Sequence, residues 1–322
     1  MPTVSITLSA PALRLALDLL DQDGVTSLDA LIEQLIANAG GPDGLPPSPP
    51  EGPTTARTSF AAPDLLSTVA AAPPLELAAT PTAPAGRLSF LANRLNPVKV
   101  FCRALANAAL TAGEWPHPHF LVQDAGLAAR DLGVRLRAED AAAGSKGHDR
   151  RWVAYPVGER VEAAVLRFGA AFGAAHTPSG ELGGPLVILG LAAASGDTVA
   201  LTEAGWQLAA LPSPLLGEAD AGRARLSDEE ARLLRARLLD APQERKLIVD
   251  FIEAIREAEG QQTLVDRALV GRRSDWSAER AASERAALIG RLHELGAVRV
   301  VGRGRGARID LLDTQALERE QS

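Results

Sequence analysis

Apolar and polar positions alternate at the start of this chain and then change period. Val4, Ile6 and Leu8 alternate with Thr3, Ser5 and Thr7, which predicts a half-buried strand. Ser9 and Pro11 supply helix-start chemistry, and Leu13, Ala16, Leu17 and Leu20 mark one helical face. Asp23-Gly24 breaks the chain, and Thr26-Ser27 can cap a second helix striped by Leu28, Leu31, Ile32, Leu35 and Ile36. Periodicity stops over residues 41–85, where half of the chain's prolines fall among Gly, Ser, Thr and Ala. That composition buries too little apolar surface to offset ordering entropy, so a disordered linker is expected, spanning on the order of 35–40 Å. Within it, Leu65 and Leu66 are either a mildly apolar patch or a transient helix that docks on a partner.

Helical period returns near Leu88. Residues 95–112 read as a helix with Pro97 at its start and Val98, Phe101, Cys102 and Leu105 inward, stopped by Gly113. Residues 120–136 read as one or two short helices interrupted around Gly126 and Gly133, and residues 152–157 as a short strand. Residues 159–174 form a helix with Val161, Val165, Leu166, Phe168 and Phe172 largely inward. Gly196-Asp197 signals a hairpin, with a strand at 198–201 and a new helix opened by Thr202. Ser227 and Glu230 have capping-box spacing. Helices are expected over 243–259, 263–270 and 277–295, then strands at 299–301 and 307–312 around Gly302-Arg303-Gly304-Arg305-Gly306.

The strand–helix–helix order of residues 1–40 resembles a ribbon-helix-helix unit, the dimeric fold of many small bacterial repressors and antitoxins. One strand and two short helices cannot bury a core alone. The resemblance therefore implies a homodimer paired strand against strand, with Thr3, Ser5 and Thr7 offered to the major groove. Arg14 is the only cation of residues 1–39, against Asp18, Asp21, Asp23, Asp29 and Glu33. A pure dimerisation module thus stays open beside a DNA reader.

Two later stretches resemble winged-helix domains. Leu189-Gly190-Leu191, Gly196-Asp197-Thr198-Val199-Ala200-Leu201 and Thr202-Glu203-Ala204-Gly205 look like a wing hairpin followed by a capped last helix. From about Pro242 to Asp313, three helices precede a two-stranded hairpin, which is the winged-helix order. The expected architecture is mostly α (α+β). It has a ribbon-helix-helix unit at 1–40, a linker at 41–85, and winged-helix-like domains at 86–215 and 226–314.

Net charge is −7 over 322 residues, so no global basic field draws the chain to nucleic acid. Residues 272–308 hold nine arginines against Asp275, Glu279, Glu284 and Glu294, a local excess of +5 that leaves −12 elsewhere. Arg272, Arg273, Arg280, Arg285, Arg299, Arg303, Arg305 and Arg308 are therefore the candidate DNA contacts. Arg303 and Arg305 at a glycine-rich tip suit a wing reaching phosphate or minor groove.

The remaining chemistry is sparse. Cys102 is the only cysteine and lies in an apolar run, which reads as a buried inert thiol and excludes a multi-cysteine zinc site. His117 and His119 flank Pro118 with no further ligand in view. Gly302–Gly306 lies between strands, so it is not a dinucleotide fingerprint. No nucleophile elbow or zinc-protease motif occurs. The longest apolar run, residues 185–194, is too short to span a bilayer. The expectation is a cytoplasmic, non-enzymatic, homodimeric DNA-binding protein without cofactor or metal. Its partners would be double-stranded DNA, a second copy, and other proteins through the linker. A scaffold or accessory subunit of a DNA-processing or defence complex is the alternative.

Overall fold

Helices dominate because the apolar stripes of the sequence recur at helical spacing and each stripe finds a partner. The computed structural model describes residues 65–80, 86–176, 181–218, 224–302 and 306–312. The chain divides at Ser59/Phe60 into two units, and every described residue belongs to the second. The ribbon-helix-helix reading, with Thr3, Ser5 and Thr7, lies outside the described residues.

Helix α1, Asn96–Ala112, has Pro97 in its first turn and ends at Gly113, whose φ of 76° is the left-handed region that glycine enters without strain. Helix α2, His119–Ala142, and helix α3, Val161–Phe172, pack across one another. Gly126 and Gly133 do not interrupt α2. They are sites of close approach, because a Cβ on Gly126 would stand 2.7 Å from Val165 and one on Gly133 2.5 Å from Tyr155. The expected strand at 152–157 is instead a 3-10 turn, Trp152–Ala154, which brings Tyr155 under the helices. Tyr155, Phe168, Phe172 and Phe101 then form a run of rings 5.1–5.8 Å apart. Leu166, expected inward, is 48% exposed.

A small ladder, β1 (Ala175–His176) with β2 (Leu182–Gly183), leads to the short helix α4, Pro185–Ile188. The expected hairpin follows as β3 (Ala192–Ser195) and β4 (Thr198–Leu201), paired antiparallel from Ala192↔Leu201 to Ser195↔Thr198. The Val199 amide donates to the Pro116 carbonyl at 2.9 Å, so the residue between α1 and α2 joins the outer edge of this hairpin. Thr202 caps α5, Glu203–Ala210, by accepting from the Gly205 amide while its hydroxyl donates to the Gly190 carbonyl.

The second half begins at α6, Asp228–Asp240, where Ser227 and Glu230 complete the capping box that their spacing announced. Helices α7 (Pro242–Glu257), α8 (Gln262–Arg272) and α9 (Ala278–Glu294) pack on one another. Strands β5 (Val298–Val301) and β6 (Arg308–Leu311) then pair antiparallel. The Ile309 amide donates to the Gly260 carbonyl at 2.8 Å, and Gln261 bridges Arg308. A residue between α7 and α8 thus joins the second strand of this hairpin, as Pro116, between α1 and α2, joins β4. Gly260 has φ 76°, and a Cβ there would lie 2.6 Å from the Ile309 carbonyl oxygen. That position therefore requires glycine.

The halves are fused. Buried apolar residues from Leu65 to Ile309 form one continuous core. Residues 65–80, which the sequence reading placed in the disordered linker, lie against this core rather than apart from it. Leu65 and Val69 are 1% and 3% exposed, the Trp206 indole donates to the Ala70 and Ala71 carbonyls, and Ala78 bridges Thr202. Leu65 docks, but on the chain's own α1, where the Asn107 amide donates to the Leu65 and Ser67 carbonyls.

Buried polar groups stitch the joint. Lys99, with a fully buried side chain, donates to the carbonyls of Leu208 and Leu211 and stands 3.2 Å from Glu230. Arg103 donates to Ala209 and Leu211 and is forked onto Glu218. Two cations thus sit at the C-terminal end of α5, where the helix dipole is negative. Glu294, at the end of α9, accepts from the backbone amides of Leu95 and Asn96 at 2.7 and 3.1 Å, a carboxylate at the positive end of α1. Burying such charges is costly, and the dense hydrogen bonding is what offsets that cost.

Candidate nucleic-acid interface

The arginine-rich segment of residues 272–308 falls on the end of α8, all of α9 and the last hairpin. Its first feature is Trp276, 6% exposed, just ahead of the Ser277 cap whose hydroxyl accepts from the Arg280 amide. The guanidinium groups of Arg87, Arg273 and Arg280 stand 5.4–5.7 Å from the centre of its rings. One indole thereby gathers three cations near the N-terminal end of α9, a place favourable to an anion.

The neighbouring carboxylates decide how much of that charge remains. Arg273 pairs with Asp250 at 2.7 Å, and Arg87 with the buried Glu284 at 2.7 Å. Arg272 pairs with Glu257 at 2.6 Å and Glu253 at 3.6 Å, and the Glu257 hydrogen bond raises its pKa further. Arg285 is held by Asp266 at 2.6 Å and by Gln262. Arg299 faces Asp310 across the hairpin at 3.1 Å, and Arg308 donates to the Glu259 carbonyl. Arg280 lies 4.0 Å from Asp275 with 46% of its side chain exposed, which makes it the loosest of the described candidates around Trp276. Arg303 and Arg305 lie outside the described residues.

Arg291, the ninth arginine of the cluster, is no surface cation. It is 1% exposed, faces Glu244 at 3.7 Å and donates to the Ala92 carbonyl. Burial lowers its pKa, with Glu244 and Glu284 opposing that shift. Desolvation likewise raises the Glu244 pKa, although the Leu88 amide donates to its carboxylate.

The exposed face of α9 is also shorter than its length suggests. Glu279, Arg280, Ser283 and Ala286 are open to solvent. One turn later Gly290 lies under the chain, where a Cβ would meet the Asn93 carbonyl oxygen at 2.2 Å. Residues 87–95 cover the second half of that face. No local sequence signal marks this cover, because the contact joins positions about two hundred residues apart. The partners that neutralise Arg272, Arg273 and Arg285 lie outside 272–308, on α7 and α8. Over residues 242–312, thirteen Lys and Arg meet eleven Asp and Glu.

The other candidate groups are accounted for locally. Cys102 is fully buried, and desolvation pushes its thiol up to about 12. His117 accepts the His119 amide through Nδ1, a contact within its own turn. Among the described residues no group of three His, Cys, Asp or Glu is placed to hold a metal ion, and no helix is long and apolar enough to cross a membrane. Comparison with protein-family models, curated proteins and solved structures gives no match.

Proposed function

We propose that the chain is a non-enzymatic DNA-binding protein, a homodimeric transcriptional regulator built from two winged-helix-like halves. The observation that carries this reading is the repeated order of the two halves. From α1 and again from α7 the order is a helix, a connecting residue, further helices and a hairpin, and in each the carbonyl of the connecting residue accepts from the second hairpin strand (Pro116 from Val199, Gly260 from Ile309). The contact surface is the start of α9 around Arg280 and Trp276, together with Arg303 and Arg305, which fall between β5 and β6 in sequence. Arg272, Arg273, Arg285 and Arg299 act mainly within the fold through their carboxylates.

Salt-titrated binding to several duplexes tests the assignment. Replacing Arg303 and Arg305 with Ala should weaken binding across sequences and lower the salt slope by up to about 2, since each phosphate contact contributes roughly 0.9. Arg280→Ala should instead alter sequence preference, at about 1–3 kcal/mol if it makes a bidentate base contact. Arg285→Ala should change stability and leave DNA affinity alone. Unchanged affinity in both the Arg280 and the Arg303/Arg305 variants removes the DNA reading. The internal pairing of the arginines and the covered Gly290 face favour one second reading, a protein-docking accessory subunit of a DNA-processing or defence assembly, and that same result leaves it standing.

A further inference from the structure

Residues 65–80 are held as a bound peptide is held, by their backbone. The Asn107 amide donates to the Leu65 and Ser67 carbonyls at 3.1 and 2.8 Å, and Arg103 Nη1 donates to Ser67 at 2.9 Å. The Trp206 indole donates to the Ala70 and Ala71 carbonyls at 3.1 Å each, and the Trp115 indole to the Glu76 carbonyl at 2.8 Å. These two indoles meet edge to face, 6.4 Å between centres. In the other direction the Ala78 amide donates to the Leu201 carbonyl at 2.9 Å, so the segment adds one rung at the end of β4. The donors come from α1, α5 and the turn before α2, and the carbonyls they reach all belong to one stretch of chain.

Side chains of the segment contribute less. Leu65 and Val69, four positions apart, are buried, Leu66 and Leu77 pack in part, and residues 70–74 stand exposed. Thr68 adds one hydroxyl bond to Glu218 at 2.8 Å. Fixing such a stretch costs backbone entropy at every position, whereas only two side chains return full burial. The segment is therefore weakly held for its length, and it opens at a smaller cost than the helices beneath it. Its departure leaves Asn107, Arg103, Trp115 and Trp206 as donors along a groove with apolar room for two side chains. Those donors read carbonyls, which every extended peptide carries.

We propose that this groove is a peptide-docking site, self-occupied by residues 65–80, whose other occupant is an extended segment of a partner protein with two apolar side chains four residues apart. A second copy of the chain is the poorer occupant. It offers the same contacts, against a segment already tethered in place at high effective concentration. The site stands independently of the DNA-binding reading, because none of its residues belongs to α9 or the last hairpin. Fluorescence anisotropy of a labelled peptide of residues 65–80, titrated with the full chain, tests it. Saturable binding is expected, at least about tenfold tighter in the full-chain variant Leu65→Ser/Val69→Ser, whose own segment competes less. A peptide with Leu65→Ser and Val69→Ser should not bind, and one with Ala70→Gln and Ala72→Gln should bind as the parent does. Trp115→Phe in the full chain keeps a ring and removes the donor, and should weaken binding about threefold to tenfold, the size of one neutral hydrogen bond. Thermal melts by circular dichroism check that the variants fold, and the wild-type titration with the three peptides needs no variant of the protein. Absence of saturable binding overturns the proposal, as does an affinity that Trp115→Phe leaves unchanged. A full-chain dimer that the peptide dissociates into monomers makes the groove an exchange surface between copies and equally overturns it.

Discussion

Cys102 shows how far burial alone sets the chemistry of a residue here. Its apolar neighbours in sequence already marked it as buried, and the fold places it with no exposed surface inside α1. Desolvation lifts its pKa from 9.0 to about 12, while Lys99 nearby acts in the opposite direction. The unfolded chain therefore releases the thiol proton first. Between pH 9 and 12 the folded state binds more protons than the unfolded state, so this contribution is complete below pH 9 and declines as pH rises towards 12. Urea midpoints at pH 8.5 and 10 should fall more in the wild type than in Cys102→Ala, and thiol labelling at pH 8 should require unfolding. An equal fall in both proteins would show that the thiol does not couple to folding. The arginines were less legible at this scale. Their positions were plain, but Arg291 is buried and Arg272, Arg273 and Arg285 are ion-paired because carboxylates of α7 and α8 lie opposite them, and spacing along one segment carries no record of that.

At the scale of elements, period and capping were legible wherever the signal was local. The capping box at Ser227, the threonine cap of α5 and the β3–β4 turn all form where their residues stand. Glycine was the ambiguous sign. Gly126 and Gly133 looked like breaks, yet they allow Val165 and Tyr155 to reach the α2 backbone. The difference depends on a partner distant in sequence. Gly290 offers the sharpest test, since the Asn93 carbonyl would lie 2.2 Å from an added Cβ. In an isolated helix Gly290→Ala would be favourable by about 1 kcal/mol. Here it should displace residues 87–95 and cost about 1–3 kcal/mol, as overpacking does. Chemical denaturation of the variant measures this, and a stabilised variant would show that the cover yields freely.

At the scale of the whole molecule, hydrophobic period marks a mostly helical chain, but composition assigns residues 65–80 to the linker when they pack on the core. The prolines and small residues of 65–80 concealed Leu65 and Val69, whose burial depends on α1 and α5 rather than on their own neighbours. A truncation should accordingly begin at Phe60 to keep that segment. We expect sedimentation to show a dimer for the full chain and a monomer for residues 60–322, because the strand-and-two-helix pattern of residues 4–36 needs a second copy to close a core. A dimer that survives the truncation would move the interface into the helical body, and a monomeric full chain would sink the ribbon-helix-helix reading.

The carboxylate of Glu294 on the first turn of α1 also sets an order of events during synthesis. Leu95 and Asn96 receive their acceptor from a residue some two hundred positions later. At about 5–20 residues per second, roughly 10–40 s separate their emergence from the ribosome. Through that interval the amides at the start of α1 have only water as a partner, and Gly290 has not yet arrived to lie beneath Asn93. The first half is thus completed by α9, the last of the described helices, and the nascent chain reaches its native joint after α9 is released rather than half by half.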